Sequence, residues 1–315
     1  MARSNSWAVV ETGRTPVVQV AERTLRKRLE AVWSDLSAAC RPRHEPERVH
    51  RLRVATRRTL AAFAAFRGLL PAADRDWFEK RLRRMRRAAG DTRDLDVLTG
   101  RLERESPRTT GGDQRSVRAA RARERLVAML AKRRDVSRQP IQGVRDELRA
   151  ADWAGRVETL IDKVAGCGRV ESFAAYGRRR FRRLLDDFFR RADRRLRDAA
   201  DIHRLRIEGK KLRYALEIFA AVFPADELAA CHDKLEKLQE TLGEFTDHAS
   251  AADRFRRWSR EKGVGPDRRT LAELRRLEDA RAEEAKKAFI KWWKPSRRKA
   301  LRRSFERPLK GRRPA

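Results

Sequence analysis

Hydrophobic residues recur every three to four positions along most of the chain, which is the spacing of amphipathic helices. The period-two alternation that indicates β-strands is scarce, and glycines and prolines cluster between the helical stretches. We therefore predict an all-α fold. Helices are expected over residues 17–39, 46–69, 75–89, 95–105, 114–135, 141–150, 172–197, 201–222, 226–242, 247–262 and 267–293.

Comparing the chain with itself reveals an internal repeat at an offset of 153 residues. The tetrapeptide His-Arg-Leu-Arg begins at His50 and again at His203, and the register holds without a gap as far as Asp94 and Asp247. One offset over this length predicts a duplicated helical unit whose copies pack as two pseudo-symmetric bundles around a central basic surface. We expect the halves at about 15–140 and 141–293.

The first helix of each copy has two different faces. On a helical wheel one arc is apolar and is expected in the core. Its residues are Leu52, Thr59, Phe63, Phe66 and Leu70 in the first copy and Leu205, Leu212, Leu216, Phe219 and Phe223 in the second. The opposite arc carries His50, Arg53, Arg57 and Arg58 in the first copy and His203, Arg206, Lys210 and Lys211 in the second.

The charge of the chain indicates which kind of ligand the basic arcs would bind. The 315 residues contain 79 Lys and Arg against 46 Asp and Glu, a net charge of +33, which favours a polyanionic partner. The two arcs repeat like charges four residues apart with almost no acid between them, although such repulsion is unfavourable on a solvated helix. Guanidinium groups match pairs of phosphate oxygens. A bound phosphate would also favour protonated histidine, so we expect each histidine to add a donor on binding. The alternative is a solvated basic surface without a ligand.

Further cations follow the same patterns. Arg81 and Arg84 align with Lys234 and Lys237 at the repeat offset, and Arg179 and Arg183 share a helix face with Arg190 and Arg194. Asp94 and Asp247 follow Gly turns and are expected to be helix N-caps. Segment 106–113 is expected to be an exposed loop, and the Arg-rich segment 294–315, which contains prolines, a mostly disordered basic tail.

These residues resemble a known family. The segments VHRLRVATRR at 49–58, GDTRDLDV at 90–97 and IHRLRIEGKKLRYALE at 202–217 are similar to the CHAD family, the conserved histidine α-helical domain. The resemblance extends from about residue 15 to 293. Many members also carry a CYTH domain with a Glu-x-Glu-x-Lys strand; we find no such run and expect a stand-alone module.

The resemblance implies two helical bundles enclosing a basic groove or pore that binds inorganic polyphosphate and can direct proteins to polyphosphate granules. The groove residues it implies are His50, Arg53, Arg57, Arg58, His203, Arg206, Lys210, Lys211 and Arg213. Arg93 belongs to the family's Arg-Asp-Leu-Asp turn, whereas Thr246 stands at the equivalent place in the second copy. We also expect Arg81, Arg84, Arg179, Arg183, Lys234 and Lys237 to contribute.

Two other functions compete with polyphosphate binding. Charge alone gives affinity for DNA or RNA, especially at low salt, although no sequence-reading motif is present. A metal-dependent phosphohydrolase is less favoured, because no HExxH motif is present and His44, His232 and His248 have no carboxylate cluster at ligand-like spacing. We predict a non-enzymatic protein without cofactor or metal. Three scattered cysteines and the lack of an apolar span predict a cytoplasmic protein that is not inserted in a membrane. The family resemblance implies that it is associated with polyphosphate granules.

Overall fold

The computed structural model describes residues 12–104, 114–194, 196, 198–261 and 268–309. These residues form eleven α-helices and two short 3-10 helices with no β-strand, which confirms the all-α prediction. The α-helices are α1 Val17–Ala39, α2 Pro46–Ala65, α3 Ala72–Arg104, α4 Gln114–Ser137, α5 Gln139–Ala150, α6 Trp153–Ala165, α7 Phe173–Ala192, α8 Ala199–Ile218, α9 Ala225–Trp258, α10 Arg268–Trp292 and α11 Pro295–Leu309. The expected loop at 106–113 lies outside the described residues.

The helix bounds recur at the offset found in the sequence. Helices α2 and α8 begin and end 153 residues apart, and so do the 3-10 helices Arg67–Leu69 and Ala220–Val222. Helix α2 packs on α3, α8 packs on α9, and α2 and α8 pack on each other. This last contact places the two histidine-bearing helices side by side.

The predicted core arcs of α2 and α8 are buried. All ten residues of the two arcs are at most 7 % exposed. The nine apolar ones belong to one large core that also includes α1 and α7, and Thr59 is buried as well. A second core joins the C-terminal parts of α3 and α9 to α4 and α10 through Leu98, Leu130, Phe255 and Leu271. No helix in the described ranges combines the length and apolar character needed to cross a bilayer.

The turns predicted at Gly90 and Gly243 are absent from α3 and α9. Both helices continue through Gly90 and Gly243, so Asp94 and Asp247 lie inside helices and are not N-caps. A Cβ atom at Gly90 would lie 3.4 Å from Arg53 Nη1, and one at Gly243 would lie 3.4 Å from Arg206 Nη2. The glycines therefore lie beside guanidinium groups within unbroken helices and do not end those helices.

Helix α6 was not among the predicted helices. It begins after Asp152, which adopts a left-handed backbone conformation and accepts a hydrogen bond from the Gly155 amide at 3.1 Å. Trp153, Val157 and Leu160 are buried along one face, so α6 packs on α1. Helix α5 spans the predicted boundary between halves and packs on α3, and α6 follows that boundary and packs on α1.

The basic C-terminal segment also differs from its prediction. Residues 295–309, expected to be disordered, form α11, which packs on α7 and α9. Leu301, Phe305 and Leu309 lie four residues apart and are buried on one face of the helix. This apolar stripe folds the segment despite its many arginines, because burial of such a face stabilises a helix. Residues 310–315 lie outside the described range.

Candidate functional site

The two histidines occupy equivalent positions at the starts of the paired helices. Pro46 opens α2 and places His50 as its fifth residue. Asp198 caps α8 by accepting a hydrogen bond from the Asp201 amide at 2.7 Å, and His203 is the fifth residue of that helix. Because α2 and α8 pack on each other, the side chains that follow each histidine come together.

Arg57 is where the basic arcs of the two halves meet. Burial lowers the pKa of Arg206, Asp247 opposes this change, and the charge of Arg57 adds to it. Burial also lowers the pKa of Lys210, and the charges of Arg206 and Arg57 lower it further. Arg57 belongs to α2, whereas Arg206 and Lys210 belong to α8. Cations from both halves therefore share one electrostatic environment.

We call this environment the central cationic cluster. Its members are linked by the charge interactions described here and come from α2, α3 and α8. They are His50, Arg53, Arg57, Arg86, Arg93, His203, Arg206, Lys210 and Arg213.

Three arginines of the central cationic cluster contain buried donors without an acceptor. Within the described part of the chain, the Nε atoms of Arg57, Arg206 and Arg213 are buried and donate no hydrogen bond. A buried donor without a partner costs about 1–3 kcal/mol, more when charged. The cluster is thus short of acceptors, which an anionic ligand would supply.

Burial and mutual repulsion set the protonation of the cluster. The pKa of Lys210 falls from 10.5 to about 7, mainly because the ammonium is desolvated. Burial also lowers the pKa of His50, with further lowering by Arg93, Arg57 and Arg53. The pKa of His203 falls for the same reason, with Arg206 and Lys210 adding to the effect. Both imidazoles are therefore neutral at pH 7 without a ligand, while the arginines stay charged.

Few carboxylates approach the central cationic cluster. Arg206 Nη2 donates to Asp247 Oδ1 at 3.3 Å, and Asp247 is more than half exposed. Asp94 raises the pKa of Arg53 against the lowering by burial, and it accepts a hydrogen bond from Arg254 at 2.7 Å. Sequence analysis treated both aspartates as caps and so missed them as partners of the cluster. Glu47 also acts on His50, and it raises the pKa of that imidazole against the lowering by burial. Three carboxylates beside seven cations leave a clear excess of positive charge.

Arg86 is a member of the cluster that sequence analysis missed. Its carbonyl oxygen accepts a hydrogen bond from Arg53 Nη1 at 3.0 Å, and burial together with Arg57 lowers its pKa. Arg86 aligns with Gln239 at the repeat offset, so the search for cations shared by both copies passed over it. Thr246, at the place equivalent to Arg93, is buried and donates to Leu242 O at 3.0 Å. The cluster therefore has unequal halves.

Two arc residues have acidic partners of their own. Arg58 Nε lies 3.3 Å from Glu217 Oε2, an ion pair that joins α2 to α8 in the interior. Lys211 Nζ donates to Glu208 Oε1 at 2.9 Å. The helical wheel placed both at the edge of their arcs, where a side chain can turn away from the cluster.

The six additional predicted cations have neighbours outside the central cationic cluster. Arg81 stacks on Trp77 with its guanidinium carbon 3.7 Å from the ring centre, and Arg84 pairs with Glu147 of α5 at 2.5 Å. Lys237 pairs with Glu240 at 3.5 Å. Lys234 lies near Cys231. Burial raises the pKa of the Cys231 thiol to about 11, against a lowering by the charge of Lys234.

Arg179 and Arg183 line a separate cavity on α7. Arg179 forms two hydrogen bonds with Glu171, at 2.5 and 2.9 Å. The spacing along α7 placed these two residues on one face, but it could not show that this face is distant from the histidines.

The three other histidines have carboxylate neighbours that sequence analysis did not find. His44 Nε2 lies 2.8 Å from Asp96 Oδ1, and His248 Nδ1 lies 2.7 Å from Glu278 Oε2. On α9, His232, Asp233 and Glu236 place potential ligand atoms within 4.8 Å of one another, an arrangement that could hold a metal ion. The statement that His232 lacks such a cluster was wrong, because one helical turn brings Glu236 beneath it. Along α9, Glu236 lies about 10 Å and His232 about 16 Å from Gly243, which contacts Arg206 of the central cationic cluster.

The fold has known relatives. The structure of the CHAD domain from the plant Ricinus communis superposes with a TM-score of 0.70 at 22 % identity, covering 97 % of this chain and 96 % of that one. PptA from Streptomyces chartreusis superposes with a TM-score of 0.55 at 20 % identity, covering 89 % and 99 %. At these identities the likeness shows the fold. No curated protein sequence matches.

The sequence itself matches a family model over most of the fold. The model for the CHAD domain aligns with residues 23–256, which include both histidine-bearing helices and the long helices α3 and α9. This chain therefore belongs to the CHAD domain family.

Proposed function

We propose that the protein binds inorganic polyphosphate in the central cationic cluster. The observation that carries the proposal is the set of buried guanidinium Nε atoms of Arg57, Arg206 and Arg213, which lack acceptors where the two halves meet. A chain of phosphates offers closely spaced acceptor oxygens with negative charge, which would satisfy these donors and relieve their repulsion. The family resemblance supports the same ligand.

The depth of the cluster favours a single thin chain over a DNA duplex. Its cations are partly buried beside packed helices, whereas a duplex presents its phosphates on a broad and stiff rod. Single-stranded RNA is a closer competitor, and it usually gains affinity by stacking bases on aromatic rings. The Tyr214 ring is buried and lies beside Arg213, with 5.0 Å from the guanidinium carbon to the ring centre. Polyphosphate needs no stacking surface.

The test compares affinities for long-chain polyphosphate, duplex DNA and single-stranded RNA at equal phosphate concentration and several salt concentrations. We expect polyphosphate to bind most tightly at 0.15 M salt, roughly the physiological value. The double variant Arg57→Ala/Lys210→Ala should lower its affinity at least about tenfold, because charge-assisted hydrogen bonds are lost. The control Arg121→Ala/Arg276→Ala removes two exposed cations of α4 and α10 and should change the affinity less than about twofold. Displacement of polyphosphate by DNA or RNA would contradict the proposal.

We also propose that binding involves no catalysis. The central cationic cluster contains donors, and the nearby Asp94 and Asp247 interact with arginines, whereas a catalytic divalent ion requires free carboxylate ligands. Polyphosphate incubated with the protein and Mg²⁺ or Mn²⁺ should keep its chain length on a gel. Shortening that is lost in the Arg57→Ala/Lys210→Ala variant would assign a hydrolytic role to the cluster.

In cells, polyphosphate binding would direct the protein to polyphosphate granules. A fluorescent fusion of the wild-type chain is expected on granules, and the Arg57→Ala/Lys210→Ala fusion is expected to be diffuse. The Arg121→Ala/Arg276→Ala fusion should stay on granules. If all three fusions had the same localisation, the central cationic cluster would not determine where the protein lies in the cell.

A further inference from the structure

A second group of arginines surrounds a cavity of about 480 Å³ at the other end of α2. The walls come from the 3-10 helix after α2, the start of α3, the connection between α6 and α7, and α7 itself. The lining residues are Arg67, Gly68, Arg75, Arg169, Tyr176, Arg179, Arg180 and Arg183. We call this the α7 cavity.

Two hydrogen-bonded side chains give the α7 cavity a fixed wall. Arg180 donates through Nε and Nη2 to the Ala64 carbonyl oxygen at 3.0 and 2.7 Å, and the buried Tyr176 hydroxyl donates to Ala65 O at 3.0 Å. These bonds satisfy the last carbonyl groups of α2, so Arg180 has a structural role at the end of that helix. They do not account for the other five arginines.

Acidic residues neutralise only part of the charge around the α7 cavity. Glu171 binds Arg179 and lies 4.0 Å from Arg169, and Asp76 binds Arg75 at 2.8 Å. In the part of the chain that the structure describes, Arg67 and Arg183 form no ion pair. Both are exposed at the cavity, so they are available to a ligand without breaking an existing bond.

The α7 cavity is separate from the central cationic cluster. Arg67 follows Arg57 by ten residues along α2 and its extension, a distance of about 15 Å. The repeat offset relates Arg67 and Arg75 to Ala220 and Leu228, so the second half has no matching cations at these positions. The arginines of the α7 cavity are therefore not part of the basic arcs that repeat in the two halves.

The shape of the site indicates the size of its ligand. Six arginines line one volume within the range of small-molecule pockets, and they do not form an extended track. Arginine forks match phosphate oxygens, and several forks around one point suit several phosphates held close together. We propose that the α7 cavity binds a compact small molecule carrying several phosphate groups, at a site independent of the central cationic cluster.

The experiment measures binding of two probes to the full chain by calorimetry at 0.15 M salt, roughly the physiological value. The probes are inorganic tripolyphosphate, which is a short linear chain, and inositol hexakisphosphate, which displays its phosphates around a ring. The variant Arg67→Ala/Arg183→Ala should weaken binding of at least one probe about tenfold or more and change long-chain polyphosphate affinity less than about twofold. The preferred probe then identifies a linear or a cyclic ligand.

Two further variants separate the possible outcomes. Arg57→Ala/Lys210→Ala should leave affinity for the preferred probe within about twofold, whatever it does to long-chain polyphosphate. Arg121→Ala/Arg276→Ala should leave the affinities for the probe and for long-chain polyphosphate nearly unchanged. The proposal is overturned if neither probe binds the wild-type chain, or if the control loses as much affinity as Arg67→Ala/Arg183→Ala. It is also overturned if Arg67→Ala/Arg183→Ala lowers the affinity for long-chain polyphosphate by the same factor as the affinity for the probe. Circular dichroism melting checks that each variant is folded.

Discussion

At the scale of the residue, the central cationic cluster is a set of charges held where they are unfavourable without a ligand. Lys210 is the clearest case, because burial and the neighbouring arginines lower its pKa to about 7. A side chain that costs stability in the free protein and contributes to binding is typical of a functional site. Lys210 is thus a sensitive probe of the whole cluster.

The first prediction concerns Lys210 and stability. The unfolded chain keeps a lysine pKa near 10.5, so between pH 7 and 10.5 it binds a proton that the folded protein has released. This difference makes stability rise with pH across that window and leaves it lowest below pH 7. We expect Lys210→Met to stabilise the free protein by about 1–2 kcal/mol at pH 6, after allowance for partial solvation, and to lessen this pH dependence. Denaturant unfolding at pH 6 and 9.5 measures the effect.

The exposed Lys237 provides the control for this prediction, because Lys237→Met removes the same charge. That substitution should change stability by less than about 0.5 kcal/mol at either pH. A loss of stability in Lys210→Met at pH 6 would show that its ammonium is stabilised in the folded protein.

Protonation of Lys210 should also make binding depend on pH. A bound polyphosphate favours the charged ammonium, so the wild-type affinity is expected to fall as pH rises from about 6 to 8.5. Lys210→Met should bind more weakly and lose much of this dependence, with the remainder due to His50 and His203. Proton uptake, measured by calorimetry in two buffers of different ionisation enthalpy, checks the expectation. The absence of uptake near pH 7.5 would contradict it.

At the scale of the element, α11 shows how an apolar stripe outweighs a basic composition. Phe305 is fully buried and its ring lies 6.1 Å from Phe181 of α7, while Leu301 and Leu309 extend the same contact. The helix adds Ser304 as well, whose carbonyl oxygen accepts a hydrogen bond from the buried Cys231 thiol at 3.4 Å. Helix α11 is therefore an integral part of the domain.

The second prediction tests that role. Phe305→Ala should destabilise the protein by about 3–5 kcal/mol, because it removes a buried ring and leaves a cavity. Arg303→Ala, on the exposed face of the same helix, should change stability by no more than about 0.5 kcal/mol. Urea unfolding gives both values. A loss below about 1 kcal/mol for Phe305→Ala would show that α11 does not belong to the cooperative core.

At the scale of the whole molecule, stability has to overcome a net charge of +33. Ion pairs such as Arg58 with Glu217 and Arg84 with Glu147 offset part of the repulsion, yet the central cationic cluster and the α7 cavity stay strongly positive. Added salt screens this repulsion, and a bound polyanion neutralises it directly. Both should stabilise the folded state.

The third prediction is that the melting temperature rises with ionic strength. Raising NaCl from about 0.05 to 0.5 M should increase the melting temperature of the wild-type chain by about 2–4 °C, equivalent to about 1 kcal/mol. The increase should be smaller in Arg57→Ala/Lys210→Ala, which has less repulsion to screen. Circular dichroism at constant pH measures both. A melting temperature that falls with salt would show that attractive ion pairs dominate.

Local patterns in the sequence determined most of the helices and their core faces. Hydrophobic spacing of three and four residues indicated the helices, and the predicted core residues from Leu52 to Phe223 are all buried. The repeat offset also anticipated which helices share bounds. These properties depend on neighbours within one or two helical turns, which the sequence displays directly.

Only the tertiary structure decided which cations act together. Arg57 and Lys210 meet because α2 packs on α8, whereas Arg58 is paired with Glu217 and Arg84 with Glu147 through contacts distant in sequence. Asp94 and Asp247 changed from expected caps to charge partners because α3 and α9 continue through their glycines. Burial and Coulomb interactions depend on distances across the fold, and equal spacing along the chain leaves those distances undetermined.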